Sequence, residues 1–295
     1  EALEIRDSGK EFGGKGVLKA VGNVSSSIAK QVIGKEFNSQ KEIDDLMLRM
    51  DNTENKASLG ANSILSVSMA FARAMAVEQN QELYEYLGEI TKNKNFVLPV
   101  PQLNVINGGR HAGQENDIQE HMLLPIGFDS YSDSLRAGVE VYQIMKKTLH
   151  KKFGAIGTLL GDEGGFVPAI DNVEDRLELM LNSIDEAGYK GKIKIGLDSA
   201  ASEFYKDQKY SIGNKKYSDG ELIDFYSELV GKYEVVSIED AMDEDDWSGW
   251  TALTEKIGNK VQLVGDDLLV TNVTRIEKAL EEKSCNALLL KINQI

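Results

Sequence analysis

Hydrophobic positions along the chain change their period near residue 98. Before that point the pattern is helical. Over Gly16 to Ile33 the apolar residues Val17, Val21, Val24 and Ile28 follow a spacing close to 3.6. Ile43, Leu46, Met47 and Met50 fall at i, i+3, i+4 and i+7, which predicts a short amphipathic helix ending in the Asp51-Asn52 turn. From Asn62 to Val77 small and apolar residues occur on nearly every side, which predicts a buried helix; 16 residues are too few to span a bilayer. After the extended entry marked by Pro99 and Pro101, short apolar runs alternate with amphipathic stripes. The runs are QLNVIN, HMLLPI, KIKIGLD, EVVSIED, VQLVGDD and NALLLK. Leu177, Met180, Leu181 and Ile184 form one helical stripe between them; Leu222, Phe225, Tyr226 and Leu229 form another, opened by a Ser218/Glu221 capping box. Such alternation predicts parallel strands buried on both faces. No G-x-G-x-x-G follows any strand, so the α/β class resolves to a (β/α) barrel rather than a dinucleotide-binding sheet.

Composition narrows the function. The 295 residues allow a smaller domain over 1–98 and a barrel domain over 99–295. A net charge of −15 with no basic stripe argues against a nucleic-acid partner, and no apolar run is long enough for a membrane span. The single cysteine, Cys285, excludes an intrachain disulfide framework and fits a reducing, cytoplasmic compartment.

Four successive runs end in charge: Asp198, then Glu239-Asp240, then Asp266-Asp267, then Lys291. Separations of 41, 27 and 25 residues correspond to one βα unit each. Parallel strands bring such ends to one face, where barrels place their active sites. Carboxylates converging there repel unless a divalent cation neutralises them. An all-oxygen set without nearby Cys or His points to Mg²⁺ or Mn²⁺. The competing reading of each acid is a helix N-cap or loop residue. Lys291, after LLL, reads either as a base with a lowered pKa or as a salt bridge to Asp267. GDEGG (Gly161–Gly165) sets two acids in a turn that admits a ligand closely, and NGGRHAG places His111 on a Gly-rich loop with Glu120 at the edge of the next strand. His121 and His150 read as structural.

The segments NVINGGRHAG, IQEHMLLP, GDEGGFVP, KIGLDSAASEFY, VSIEDAMDEDDW, VGDDLLVTN and ALLLKINQI resemble the enolase family in order and spacing, as do EALEIRD, GGKGVLKAV and SLGANSILSVSMA in the first domain. The resemblance covers essentially the whole chain. It implies an α+β capping domain before an enolase-type barrel, present here through its first six strands, and a lyase that dehydrates 2-phosphoglycerate to phosphoenolpyruvate in glycolysis. By motif, Asp198, Glu239 and Asp266 match ligands of the tighter Mg²⁺; a second ion is expected mostly through substrate and a loop outside this sequence. Lys291 resembles the base for the α-proton and Glu163 the acid that assists departure of the 3-hydroxyl, with Glu120 beside it. His111, Gln119, Glu120, Glu239, Asp266 and Lys291 match substrate-contacting positions. A homodimer or ring of dimers is implied. Two alternatives are another superfamily enzyme abstracting a proton α to a different carboxylate, and a non-catalytic binding protein on the same scaffold.

Departures from the family pattern are small within the chain: Ala241 stands where proline is usual, Arg110 where Ser, Glu or Lys is frequent, His121 for a common phenylalanine, and Leu159-Leu160 for Asn-Val. Family members have strands before the position of Glu1 and two more barrel strands after KINQI. A polypeptide of only these residues is expected to leave a sheet edge open, and to be inactive and poorly stable by itself.

Overall fold

A computed structural model describes residues 2–294. The chain divides into two compact units, Glu1–Val97 with Lys291–Ile295, and Leu98–Leu290.

The first unit is helical. α1 (Leu18–Gly22) runs through a π-helical segment (Asn23–Ile28) into α2 (Ala29–Val32). The widened turn has a local cause: Ser25 and Ser26 donate their hydroxyls back to the Val21 and Gly22 carbonyls at 2.9 and 2.6 Å, competing with the backbone ladder. α3 (Gln40–Asp51) begins at a Ser39 cap and ends in left-handed Asn52, as the pattern predicts. α4 (Ala61–Glu78) covers the expected helix, yet it buries one face only, with Ile64, Ala72 and Ala76 inside while Met69 and Val77 face outward. α5 (Leu83–Thr91) follows from a capping box at Glu82 and Glu85. No helix among the described residues is long and apolar enough to cross a membrane.

In the second unit all six apolar runs form one sheet: β1 (Leu103–Asn107), β2 (Glu120–Leu124), β3 (Lys194–Asp198), then β7 (Val235–Glu239), β8 (Gln262–Gly265) and β9 (Ala287–Leu288), neighbours in that order. The expectation of uniformly parallel strands is corrected. β1–β2 and β2–β3 pair antiparallel, and only β3, β7, β8 and β9 run parallel. Among the described residues no α-helix of the kind that usually carries a parallel crossover lies between β1 and β2, where the glycine-rich loop 108–119 reverses the chain. Between β3 and the next helix the sequence also builds a small sheet unforeseen from pattern, β4 (Tyr205–Lys206), β5 (Lys209–Ile212) and β6 (Lys215–Tyr217). Asp207 and Gln208, both at positive φ (52° and 58°), make its first two-residue turn.

Helices α6 (Tyr131–Phe153), α7 (Val173–Glu186), α8 (Asp219–Tyr233), α9 (Trp247–Ile257) and α10 (Val273–Glu282) cover the large sheet. Val141, Met145, Leu177, Met180, Leu222, Tyr226 and Leu253 pack with Ile106, Leu123, Ile195, Leu197, Ile238 and Leu263 in one continuous core. Both expected stripes are therefore core faces, though Leu181 and Phe225 stay half-buried, and the Ser218/Glu221 capping box forms. Among the described residues the sheet is open, with β1 and β9 at its edges.

Candidate active site

Strand register aligns the acidic residues. Asn107 pairs with Glu120, Glu120 with Asp198, and Asp198 with Glu239, one row across four strands. Because β2 is antiparallel, its first residue reaches the face where β3 and β7 end. Asp266 directly follows β8, so it comes to the same end of the sheet. All four carboxylates, and Asp240 beside them, are buried. Gln119 donates its amide to Asp198 Oδ2 at 3.1 Å, and the Ala200 N–H donates to Asp198 Oδ1 at 2.9 Å.

The three expected metal ligands fall within two overlapping groups of carboxylates. Asp198, Glu239 and Asp240 bring one carboxylate oxygen each within 4.8 Å of one another, and so do Asp240, Asp266 and Asp267. Asp240 joins the groups. Its two oxygens accept the backbone N–H of Asp266 at 3.0 Å and of Asp267 at 2.8 Å. It adopts a left-handed φ of 42°, a conformation that costs a non-glycine residue energy and is sustained by these bonds. Sequence reading gave Asp240 no role; the signal available was only the second acid of IED.

Electrostatics at this end are those of crowded acids. Burial, then mutual repulsion, holds the Asp198 and Glu239 carboxyls far above the ordinary carboxylate range. Asp240 is pushed up to about 8, first by burial and against its two backbone donors. Such a set of oxygen donors, desolvated and short of positive charge, fits a hard divalent cation of the Mg²⁺ kind.

A second group lies beside the first. His111, Glu120 and Glu163 also bring ligand atoms within 4.8 Å of one another. His111 Nδ1 is 3.1 Å from Glu120 Oε1. His111 sits in a 3₁₀ turn, Gly109–Ala112, closed below by the Gly108 N–H to the Gln119 carbonyl at 2.8 Å. Glu163 is exposed on the GDEGG turn, which the outer edge of β1 holds in place. Phe166 donates its N–H to the Val105 carbonyl, and the Asn107 N–H donates to the Phe166 carbonyl, both at 2.9 Å. Tyr142 stacks on Phe166 at 4.4 Å between ring centroids and donates its hydroxyl to the Gly164 carbonyl at 2.9 Å. Glycine is needed at Gly165 for space: a Cβ there would lie 2.4 Å from Asn107 Oδ1.

Lys291 lies beyond the last strand of the sheet. β9 stops at Leu288, so the predicted strand does not run to the lysine, which instead precedes the short turn Ile292–Gln294 and groups with the first unit. Of the expected structural histidines, His121 is fully buried on β2 and His150 is exposed on α6. Arg110, one of the unusual positions, pairs with Glu203 at 2.6 Å across the mouth of a cavity of about 230 Å³ that also touches Gln119 and Ser199.

Comparison with known proteins agrees with this arrangement. Residues 1–87 match the family description "Enolase, N-terminal domain" and residues 95–295 match "Enolase, C-terminal TIM barrel domain". The chain is 49% identical to the enolase of Thermococcus gammatolerans, over all of this chain and 69% of that protein. It is 50% identical to the enolase of Nitratiruptor sp., over all of this chain and 70% of that protein. For the enolase of Methanocaldococcus jannaschii the identity is 48%, over all of this chain and 69% of the relative. With residues 1–87 and 95–295 matched to its two domains and relatives about 50% identical over the whole chain, the chain belongs to the enolase family.

Proposed function

We propose that this chain carries the site of a phosphopyruvate hydratase, a lyase that removes water from 2-phosphoglycerate to give phosphoenolpyruvate. The observation that carries the reading is the register-aligned row Glu120–Asp198–Glu239, with His111 and Glu163 beside Glu120. An α-proton next to a carboxylate is very weakly acidic, so its removal needs concentrated positive charge at the carboxylate oxygens. Bound Mg²⁺ supplies that charge. In this reading Asp198, Glu239 and Asp266 hold the tighter ion, and a second ion joins with the substrate. Gln119 orients the Asp198 carboxylate through the bond already described.

Lys291 takes the α-proton in this assignment and must be neutral to do so. Glu163, protonated, gives its proton to the departing 3-hydroxyl, and Glu120 with His111 forms the polar wall on that side. The acid and the metal-binding carboxylates occupy separate groups linked through Glu120, which suits a reaction that loses proton and hydroxyl at adjacent carbons. A phosphorylated small molecule is the partner, in the cytoplasm, with the protein working as a homo-oligomer.

The test is phosphoenolpyruvate absorbance during turnover of 2-phosphoglycerate, first with Mg²⁺ and then with EDTA. EDTA-sensitive turnover is expected where the barrel strands that follow KINQI in family members accompany these residues. Lys291→Ala should abolish turnover and keep Mg²⁺ affinity, whereas Asp266→Ala should weaken Mg²⁺ first. Equal loss of Mg²⁺ in both variants would overturn the division of roles.

A further inference from the structure

Arg176 lies on the inward face of α7 with Leu177 and Met180, 2% exposed, in a position otherwise reserved for apolar side chains. A buried guanidinium is costly unless its donors are used, so where they point is informative. Nη2 lies 2.5 Å from Asp117 Oδ2, and Nε donates to the Ile170 carbonyl at 2.8 Å. Asp117 is itself held, its Oδ1 accepting the Ile118 N–H at 2.9 Å. The remaining nitrogen, Nη1, has no hydrogen-bond partner among the described residues and packs on Gly108, where a Cβ would come within 2.7 Å of it.

These contacts belong to two different loops. Asp117 closes the loop that begins at Gly108, bears His111 and leads into Gln119 and Glu120. Ile170 ends the segment that begins with the Glu163 turn and passes through Phe166, already fastened to β1. One planar side chain on a helix thus ties together the loop that carries His111 and the segment that carries Glu163, two residues of the same group. We infer that Arg176 is a positioning residue for the dehydration, holding the His111–Gln119 loop and the Glu163 segment in fixed relation through Asp117 and the Ile170 carbonyl. The inference rests on the enolase reading of this site for its consequence, while the tie between loops stands on the contacts alone.

A buried ion pair that merely stabilises the fold would spread the effect of its loss evenly over the unit. A positioning pair concentrates it in these two loops. Arg176→Lys separates the two cases, because lysine keeps the charge but lacks the fork that reaches both acceptors. The measurement is hydrogen exchange of the whole chain, resolved by segment, for wild type, Arg176→Lys and Asp117→Asn. Exchange over 108–119 and 161–170 is expected to rise together, by about tenfold or more, with β3 and β7 unchanged within about twofold. In the turnover assay kcat should fall by about 10- to 100-fold, as misplacement of reacting groups by about 1 Å does, while Mg²⁺ affinity stays within about threefold. Uniform loosening of the unit, or exchange in both loops unchanged from wild type, overturns the inference. Absence of turnover in wild type bears on the functional reading alone, and the exchange result still decides whether Arg176 ties the loops. Loosened loops with wild-type kcat would overturn the positioning role.

Discussion

Asp240 accepts the backbone N–H of Asp267 at 2.8 Å, and with its other oxygen the N–H of Asp266. The acid that ends one strand unit therefore sets the orientation of the acids that end the next. Asp240→Asn leaves one acceptor oxygen and turns an amide NH₂ toward the second backbone N–H, so the turn after β8 must rotate. Groups that orient metal ligands typically change metal affinity by about 10- to 100-fold when replaced. The expected outcome is a loss of that size in Mg²⁺ affinity by calorimetry, with the fold intact by circular dichroism. Unchanged affinity would show that Asp240 does not act through Asp266.

Metal and stability are linked through the same crowding. Asp198, Glu239 and Asp240 are buried together with carboxyls held above their ordinary range. Removing one charge relieves repulsion in the metal-free protein, whereas metal binding rewards all of them. Asp198→Asn is therefore expected to raise the Tm of the EDTA-treated chain and to abolish the Tm gain on adding Mg²⁺. For wild type, Mg²⁺ at about 100 times its Kd should add about 2.7 kcal/mol. A thermal scan with and without metal decides it; a variant still stabilised by Mg²⁺ as wild type is would remove Asp198 from the ligand set.

The sequence made much of this legible, for definite reasons. Apolar runs of strand length identify all six strands, because buried strands in a layered fold have no polar face to confuse the period. Direction was not legible. QLNVIN and HMLLPI look the same whichever way they run, and only the lack of a helical stripe between them argues for a reversal. The β4–β6 sheet escaped notice because its strands are two to four residues long and lysine-rich. Residues 62–77 suggested burial on all sides, but small alanines and serines tolerate exposure, so composition overstated the contact. At the site, strand-end acids were visible from spacing, while the clamp by Asp240 depends on a backbone conformation that no residue pattern announces.

His121 should make the protein acid-sensitive. It is fully buried on β2, and burial, reinforced by the Arg176 charge, holds its pKa well below the usual 6.5; the Ile106 backbone offsets part of this. The folded chain therefore keeps the ring neutral, while the unfolded chain takes up a proton below about pH 6.5. The associated stability is complete above that pH and declines as pH falls toward the folded-state value, by about 1.4 kcal/mol per unit. Phenylalanine at this position has nothing to titrate. Relative to its own stability at pH 7, His121→Phe should lose less than wild type at pH 5 in urea unfolding. Parallel pH profiles for the two proteins would mean that the imidazole is accommodated in its charged form.

Gly165 and Asn107 compete for one space beneath the Glu163 turn. A Cβ at Gly165 would lie 2.4 Å from Asn107 Oδ1 and 2.9 Å from Asn104 Oδ1, and Asn104 in turn reaches Glu163 at 3.4 Å. Asn107 cannot withdraw, since its backbone is fixed between Phe166 on one side and Glu120 on the other. Gly165→Ala is therefore expected to cost about 1–3 kcal/mol through overpacking and to displace Glu163 from Glu120. If the cost comes from that contact, shortening Asn107 must recover part of it. In an Asn107→Ala background the same substitution should cost at least about 1 kcal/mol less, a coupling of the size expected for touching residues. Additive losses across the double-mutant cycle would place the need for glycine in the backbone of the turn, and the packing between β1 and the GDEGG segment would no longer explain how Glu163 is held.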